Sequence, residues 1–365
     1  MATDILLVSL GTTAGWRGAG AQLAAAIERA GATVATVAAG PVPQVRTFMA
    51  TDLVQARACR AAALRGIAEH APRGVVYASS TAALLAPRPG AIWFDAPAAG
   101  NRLGHDGLWQ RPLERRRMAA ARLLLPMSEE SLAPLPAAVR AATPAVVLPV
   151  PVEPSAPASG ADSAAPGAGA DSAAPAAGAD SAAPGAGAAP PAAHARDVAA
   201  VAYAADRVKK GLDRILAAWA QARRPGERLL VAGQSGPLGD GAEGTGLLAP
   251  EEYRALLRRA RVFVAAPLRE DHGIAQLEAL ADGCRLVTTP ATGPYPAYGL
   301  ARALDPRYVG DDLAAQLRAA LDDSAADGSG AADGYAARAL ELLRPYRRAS
   351  FDAAVRERVL PALLR

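Results

Sequence analysis

Val262-Phe263-Val264-Ala265-Ala266, closed by Pro267, runs shortly into Glu270-Asp271-His272-Gly273-Ile274-Ala275-Gln276-Leu277-Glu278 and on into Ala279-Leu280-Ala281-Asp282-Gly283. Five apolar residues stopped by a proline read as a buried strand, and the run from Ile274 ended by Gly283 reads as a helix. The order strand, loop, helix belongs to a parallel α/β sheet. A loop feeding a helix N-terminus presents free backbone N–H groups and the positive end of the helix dipole, which together make a ready phosphate site. Gly273 allows a ligand to approach the backbone closely. One carboxylate lies in the loop and the other about a turn into the helix. Both are placed to accept hydrogen bonds from hydroxyls at the two ends of a diphosphate. A molecule built as sugar, diphosphate and ribose has that shape. Two ordinary glutamates on a surface helix are the plain alternative.

Upstream, Lys209 and Lys210 are the only lysines in the chain. They stand before Gly211, between a strand pattern at 198–202 and a helical one at 211–222. Where every other basic side chain is arginine, a lysine pair at a strand-to-helix loop points to a need for a compact ammonium. A solvated pair at a helix start explains the same residues. The alternation continues with a strand at Leu229–Ala232, a helix at 251–260 and a strand at Arg285–Thr288. The first half begins the same way. A strand at 4–10 leads into Gly11-Thr12-Thr13-Ala14-Gly15, an alanine-rich helix over 17–30 and a strand at 33–37. Further strands fall at Gly74–Tyr77, Ala91–Phe94 and Leu123–Pro126. The glycine loop is neither G-x-G-x-x-G nor a Walker A motif, which argues against a dinucleotide or ATP site there.

Between 154 and 196 the composition changes. Gly-Ala-Asp-Ser-Ala-Ala-Pro-Gly/Ala-Ala repeats from Gly160, Gly169 and Gly178 with no large apolar side chain. Such a segment cannot bury enough surface to offset chain entropy, so it reads as a disordered inter-domain linker rather than a solenoid. The expected organisation is a first domain over 1–153, a linker over 154–196, a second domain over 197–345, and a closing helix within 346–365 that crosses back to the first domain. Net charge is only +4, but fifteen arginines against nine carboxylates put residues 1–150 at +6 and the rest at −2. That balance fits an anionic acceptor or peripheral contact with an anionic membrane. A solvated basic face explains it equally, including Arg115-Arg116-Arg117. No basic stripe interleaved with aromatics argues for nucleic acid. Two cysteines, Cys59 and Cys284, give neither a disulfide framework nor zinc spacing. With no secretory pattern after Met1 and no apolar run of spanning length, a soluble cytoplasmic protein is expected, at most membrane-peripheral.

The Glu270–Glu278 run resembles the E-x7-E signature of retaining glycosyltransferases of family 4, the group 1 glycosyltransferases of GT-B fold. Those usually read Glu-Gly-Phe-Gly followed by a Leu-Glu-Ala-Met-Ala-x-Gly helix. The resemblance implies two Rossmann-like domains facing a cleft. It implies that Glu270 faces the donor sugar, that Glu278 holds the ribose hydroxyls, and that the amides of Gly273, Ile274 and Ala275 hold the distal phosphate. Tyr203 to Gly211 is similar to the family's Gly-Arg-x(5)-Lys-Gly element, which makes Lys210 the phosphate-binding lysine. The family arginine is replaced by Ala204, and Arg207 or Lys209 is left to supply its charge. Gly11 and Gly15 occupy the place of the N-terminal glycine loop near donor phosphate or acceptor. Asp95, at a strand end, matches an acceptor-side position or caps a helix. Ser128 matches a strand-end serine or an N-cap. His272 replaces the usual aromatic, bonding the donor sugar or packing in the loop. Thr288 to Gly293 resembles the loop that closes over the donor.

The implied reaction is metal-independent, needs no cofactor, and moves a sugar from a nucleotide diphosphate donor to a glycan, lipid or small-molecule acceptor with retention. Glu270 and Lys210 carry the chemistry in that reading. Two alternatives share the fold: a sugar-nucleotide-binding protein that has lost catalysis, for which Ala204 is the motive, and a sugar-nucleotide epimerase.

Overall fold

Ile5-Leu-Leu-Val-Ser9 is buried along its whole length, as a strand covered on both faces must be. The computed structural model of the protein describes residues 3–11, 14–40, 42, 45, 47–155, 196–326 and 334–365. In the first domain the strands are β1 (Ile5–Ser9), β2 (Val34–Ala38), β3 (Gly74–Tyr77), β4 (Ala91–Phe94) and β5 (Leu123–Pro126). The helices are α1 (Ala14–Arg29), α2 (Phe48–His70), α3 (Ser80–Ala83), α4 (Ala98–Asn101), α5 (Gln110–Ala119) and α6 (Ala137–Ala142). The sheet order is β2-β1-β3-β4-β5, with every pairing parallel.

Side chains alternate across each strand, and two apolar layers result. Ile5, Leu7, Val76, Trp93 and Leu125 face one of them, with Leu23 and Ile27 of α1. Leu6, Val8, Tyr77, Ile92 and Phe94 face the other, with Cys59 and Ala63 of α2 and Met118 of α5.

The second domain has strands β6 (Val198–Tyr203), β7 (Leu229–Ala232), β8 (Ser235–Gly239), β9 (Ala242–Gly246), β10 (Ala260–Ala265) and β11 (Arg285–Thr288). Its helices are α7 (Leu212–Ala222), α8 (Pro250–Arg259), α9 (Ile274–Ala281), α10 (Pro296–Leu304), α11 (Leu313–Ala326) and α12 (Gly334–Leu342). The sheet order is β11-β10-β6-β7-β9-β8, parallel except for the antiparallel β8–β9 hairpin at its edge. The architecture is α/β with two parallel-sheet domains of Rossmann type, the GT-B class.

The chain ends in α13 (Arg348–Ala354), a π-helical turn at Val355–Val359 and α14 (Leu360–Leu364). The wide turn lies just before Pro361, whose ring would collide with the carbonyl one turn back in a regular helix. Phe351, Val355, Val359, Leu360 and Leu363 pack into the α1 layer of the first domain. Arg29 pairs with Asp352 at 2.7 Å, and Arg122 and Arg73 donate to the carbonyls of Leu363 and Leu364.

Several expectations need correction. The helix after the first glycine loop begins at Ala14, so Gly15 lies inside its first turn. The 23-residue α2 and the β8–β9 hairpin were not foreseen. The repeats from Gly160 and all but the edges of 154–196 lie outside the described residues. Among the described residues no helix is long and apolar enough to cross a membrane.

Candidate active site

β6 and β10 lie side by side, and the chain leaves them in opposite directions, to β7 on one flank and β11 on the other. In an open parallel sheet the crevice at the carboxyl ends of two such strands is where ligands bind. The loops leaving this point are 204–211 and 266–273, so topology alone brings the lysine pair to the Glu270 loop.

The two loops are fastened backbone to backbone. Leu268 N donates to Lys209 O at 3.0 Å. Gly211 has φ +64°, and a Cβ there would lie 2.0 Å from Ala266 O. Only glycine permits both the conformation and the approach. A third loop, after β11, closes on them. Glu270 N donates to Thr292 O at 2.9 Å, and Gly293 at φ +109° would drive a Cβ to 2.3 Å from Glu270 O.

Within this clasp Lys210 Nζ donates to Glu270 Oε2 at 2.5 Å, the two side chains being 19% and 7% exposed. Gln276 Nε2 donates to the same Oε2 and to Tyr295 Oη, both at 3.3 Å. Tyr295 Oη and Thr288 Oγ1 share a hydrogen bond of 2.6 Å. Tyr295 is held at φ +36°, a left-handed conformation uncommon for an aromatic residue and of the kind found at functional sites. Gly273, at φ +79°, is the N-cap of α9, and the amides of Ile274 and Ala275 are in the first turn, where a helix has no internal acceptor for them. Lys210, Gln276, Ala275 and Tyr203 line a small cavity over the end of Phe263.

Glu278, one turn further on, is half-buried with Arg254 Nη1 at 3.5 Å from its Oε1. Burial lifts its carboxyl above the usual range, and the Arg254 charge works against that lift. Arg254 also grips Asp282 (Nε to Oδ2, 2.6 Å) and Glu153 O (2.6 Å), tying α9 to the crossing between domains. His272 is buried beside Tyr346, ring centroids 6.2 Å apart. Neither of its ring nitrogens has a partner among the described residues, and burial drives its pKa down to about 4.

The other expected site residues scatter. Arg207 lies outside the cluster, exposed and paired with Asp213 at 2.5 Å. Ala204 is fully buried, and its carbonyl accepts from Gln234 Nε2, so no charge stands where the resembled element has arginine. Lys209 is exposed, and its charge reaches Asp95 in the first domain.

Asp95 caps no helix: its Oδ1 accepts from the adjacent Ala96 N, and α4 begins after Pro97 without a side-chain cap. Burial first and the Asp271 charge second push it up to about 6, so it faces the Glu270 loop across the cleft. Arg269 spans the same gap, donating to Gly100 O at 2.8 Å and to Asp271 at 2.6 Å. Ser128 is an N-cap, accepting from Ser131 N. Gly11, at φ +67°, takes an Arg17 hydrogen bond on its carbonyl. Gly15 precedes Trp16, and Trp16 and Ile274 both pack against the same first-domain layer.

Sequence reasoning missed Gln276, Tyr295, Arg254 and Arg269. Gln276 alone carried a signal, as a polar residue in the apolar stretch of α9.

Residues 195–323 match the family described as glycosyl transferases group 1. No curated protein matches the sequence. Among solved structures the chain is similar to WaaG, a glycosyltransferase involved in lipopolysaccharide biosynthesis: 15% identity over 98% of this chain and 97% of that one, TM-score 0.59. It is also similar to Anabaena HepE in complex with UDP and glucose, at 12% identity over 97% and 98%, TM-score 0.61. A third likeness is to a trehalose 6-phosphate synthase from Burkholderia multivorans, at 12% identity over 100% and 98%, TM-score 0.61. At such identities the likeness speaks for the fold, and the matched stretch covers the Lys210–Glu270 cluster, Gly273 and Glu278. The second domain thus carries the group 1 glycosyltransferase match, and the chain as a whole has the GT-B fold.

Proposed function

We propose that the protein transfers a glycosyl unit from a nucleoside diphosphate sugar to a hydroxyl acceptor, with retention at the anomeric carbon and without a metal ion. The observation that carries this reading is the Lys210–Glu270 pair, 2.5 Å apart at the start of a glycine-capped helix. The chemistry needs fixed positive charge where the diphosphate departs and an oriented sugar beside it. Lys210 and the amides at Gly273, Ile274 and Ala275 supply the first, and Glu270 supplies the second. Glu278 receives the ribose hydroxyls, with Arg254 holding its carboxylate. The bond from the anomeric carbon to the diphosphate oxygen breaks as the acceptor oxygen bonds on the same face, and the acceptor proton passes to the leaving phosphate. Asp95, across the cleft, lies on the acceptor side. The HepE complex, which contains UDP and glucose, is in keeping with a nucleotide-sugar donor.

The test is donor consumption with a panel of UDP-, GDP- and ADP-hexoses and acceptors, read by anomer-resolved NMR. A product with the donor's anomeric configuration, lost in Glu270→Ala, supports the reading. Inversion, or interconversion of donor sugars with no acceptor, refutes it. Nucleotide binding unchanged in Glu278→Ala sinks the placement of the nucleoside.

A further inference from the structure

Gln276 is 2% exposed, on the first turn of α9, in a stretch where its neighbours toward the core are Leu277 and Leu280. A buried primary amide has two donors and one carbonyl to satisfy. Its Nε2 faces two oxygens, Glu270 Oε2 and Tyr295 Oη, and this fixes which way the amide points. The opposite orientation would set Oε1 against the Glu270 carboxylate. Oε1 is therefore turned the other way, toward the Gly273 turn, where a Cβ would lie 3.3 Å from it. That oxygen is buried and has no hydrogen-bond partner among the described residues. An unpaired buried acceptor is destabilising, and Gln276 also lines, with Lys210 and Ala275, the cavity over the end of Phe263. A phosphate cannot pair with this oxygen, since at neutral pH it offers oxygens that a carbonyl repels, whereas an O–H or N–H group can.

We infer that Gln276 is a donor-specificity residue: its Oε1 accepts a hydrogen bond from one hydroxyl of the transferred sugar while its Nε2 holds Glu270 in place. This rests on the glycosyl-transfer reading above and names the part of the donor that Gln276 reads. The relay from Glu270 through Gln276 to Tyr295 and Thr288 makes the amide rigid, so the carbonyl selects by position. A sugar whose hydroxyl is missing or points the other way leaves the acceptor unpaired, and sites built to pair a hydroxyl discriminate strongly against analogues lacking it.

The experiment measures calorimetric affinities of the wild type and of Gln276→Met for the bare nucleoside diphosphate, for its hexose conjugate, and for the deoxyfluoro analogues of that conjugate. Fluorine keeps the size of a hydroxyl and cannot donate. In the wild type one analogue binds about five- to tenfold more weakly than the parent, the scale of a lost hydrogen bond. Gln276→Met abolishes that discrimination and leaves the diphosphate affinity within about twofold.

Discrimination unchanged in Gln276→Met overturns the inference. So does an equal loss of affinity for diphosphate and conjugate, which marks a purely structural role. If the wild type binds no nucleoside diphosphate sugar at all, the glycosyl-transfer reading fails first and this one with it.

Discussion

A lysine and a glutamate 2.5 Å apart, both largely withdrawn from water, are costly to separate. Removing one leaves the other buried without its counter-charge, a loss of about 3–5 kcal/mol. Lys210→Ala is expected to lower kcat by about a hundredfold or more, the scale of losing one fixed group from a site of developing negative charge. Lys210→Arg should not restore the rate, since a planar guanidinium cannot stand where a compact ammonium meets a single carboxylate oxygen. Both are read by initial rates under saturating donor.

His272 makes a second prediction at this scale. Its pKa falls from its ordinary 6.5 to about 4 in the fold, so the neutral ring is favoured. The stability this gives is complete above pH 6.5 and is lost as pH falls toward 4, on the order of 3 kcal/mol in all. Glu114, pushed up to about 7 by burial, and Asp95, pushed up to about 6, tilt the opposite way. The measurement is therefore the difference between wild type and His272→Phe in urea unfolding. The variant should gain on the wild type steadily from pH 6.5 downward, and a constant difference would contradict the assignment.

Among elements, the glycines that let loops touch are separable from those that merely turn. Gly211→Ala adds a methyl 2.0 Å from a carbonyl oxygen at a left-handed φ, and should cost more than about 2 kcal/mol. Gly226→Ala, at φ +86° with open space around it, carries only the conformational term, about 1 kcal/mol. Thermal unfolding of the two distinguishes close approach from turning. What was legible in the sequence follows the same physics. β3, β4, β5, β7 and β11 are short runs with apolar residues on both faces, and their limits can be read directly. α2 escaped because its buried positions are mostly Ala56, Cys59, Ala62 and Ala63, side chains too small to mark a face. The β8–β9 hairpin has glycine at every second or third place and little alternation to detect. In the site, Glu270, Lys210, Gly273 and Glu278 were legible because they repeat a known spacing. Gln276–Tyr295 and Arg254–Glu278 were not, because each contact joins residues nineteen or more apart in sequence and exists only once the sheet has formed.

At the scale of the whole molecule the domains are held by a few polar ties and one long apolar seam. Arg269 reaches Gly100 O, while Glu153 takes Arg347 and Arg348 N at the crossings. The seam is the helical segment from Arg348, whose Phe351, Val355, Val359, Leu360 and Leu363 belong to the first domain's core. Five such side chains contribute about 8–15 kcal/mol, comparable with the entire stability of a domain. A chain ending at residue 347 should show the second domain's calorimetric transition and none from the first. Two intact transitions would contradict this account of the core.

That seam also sets an order of events during synthesis. The first domain is encoded in two stretches of the message separated by the whole of the second. Residues up to about 152 leave the ribosome with the α1 face of their sheet only partly covered, and the helical segment that completes it is made after the second domain. At roughly 5–20 residues per second, the wait is roughly 10–40 s. The second domain, continuous in sequence, can mature within that interval, while its elder neighbour stays unfinished and exposed to whatever chaperones attend the nascent chain.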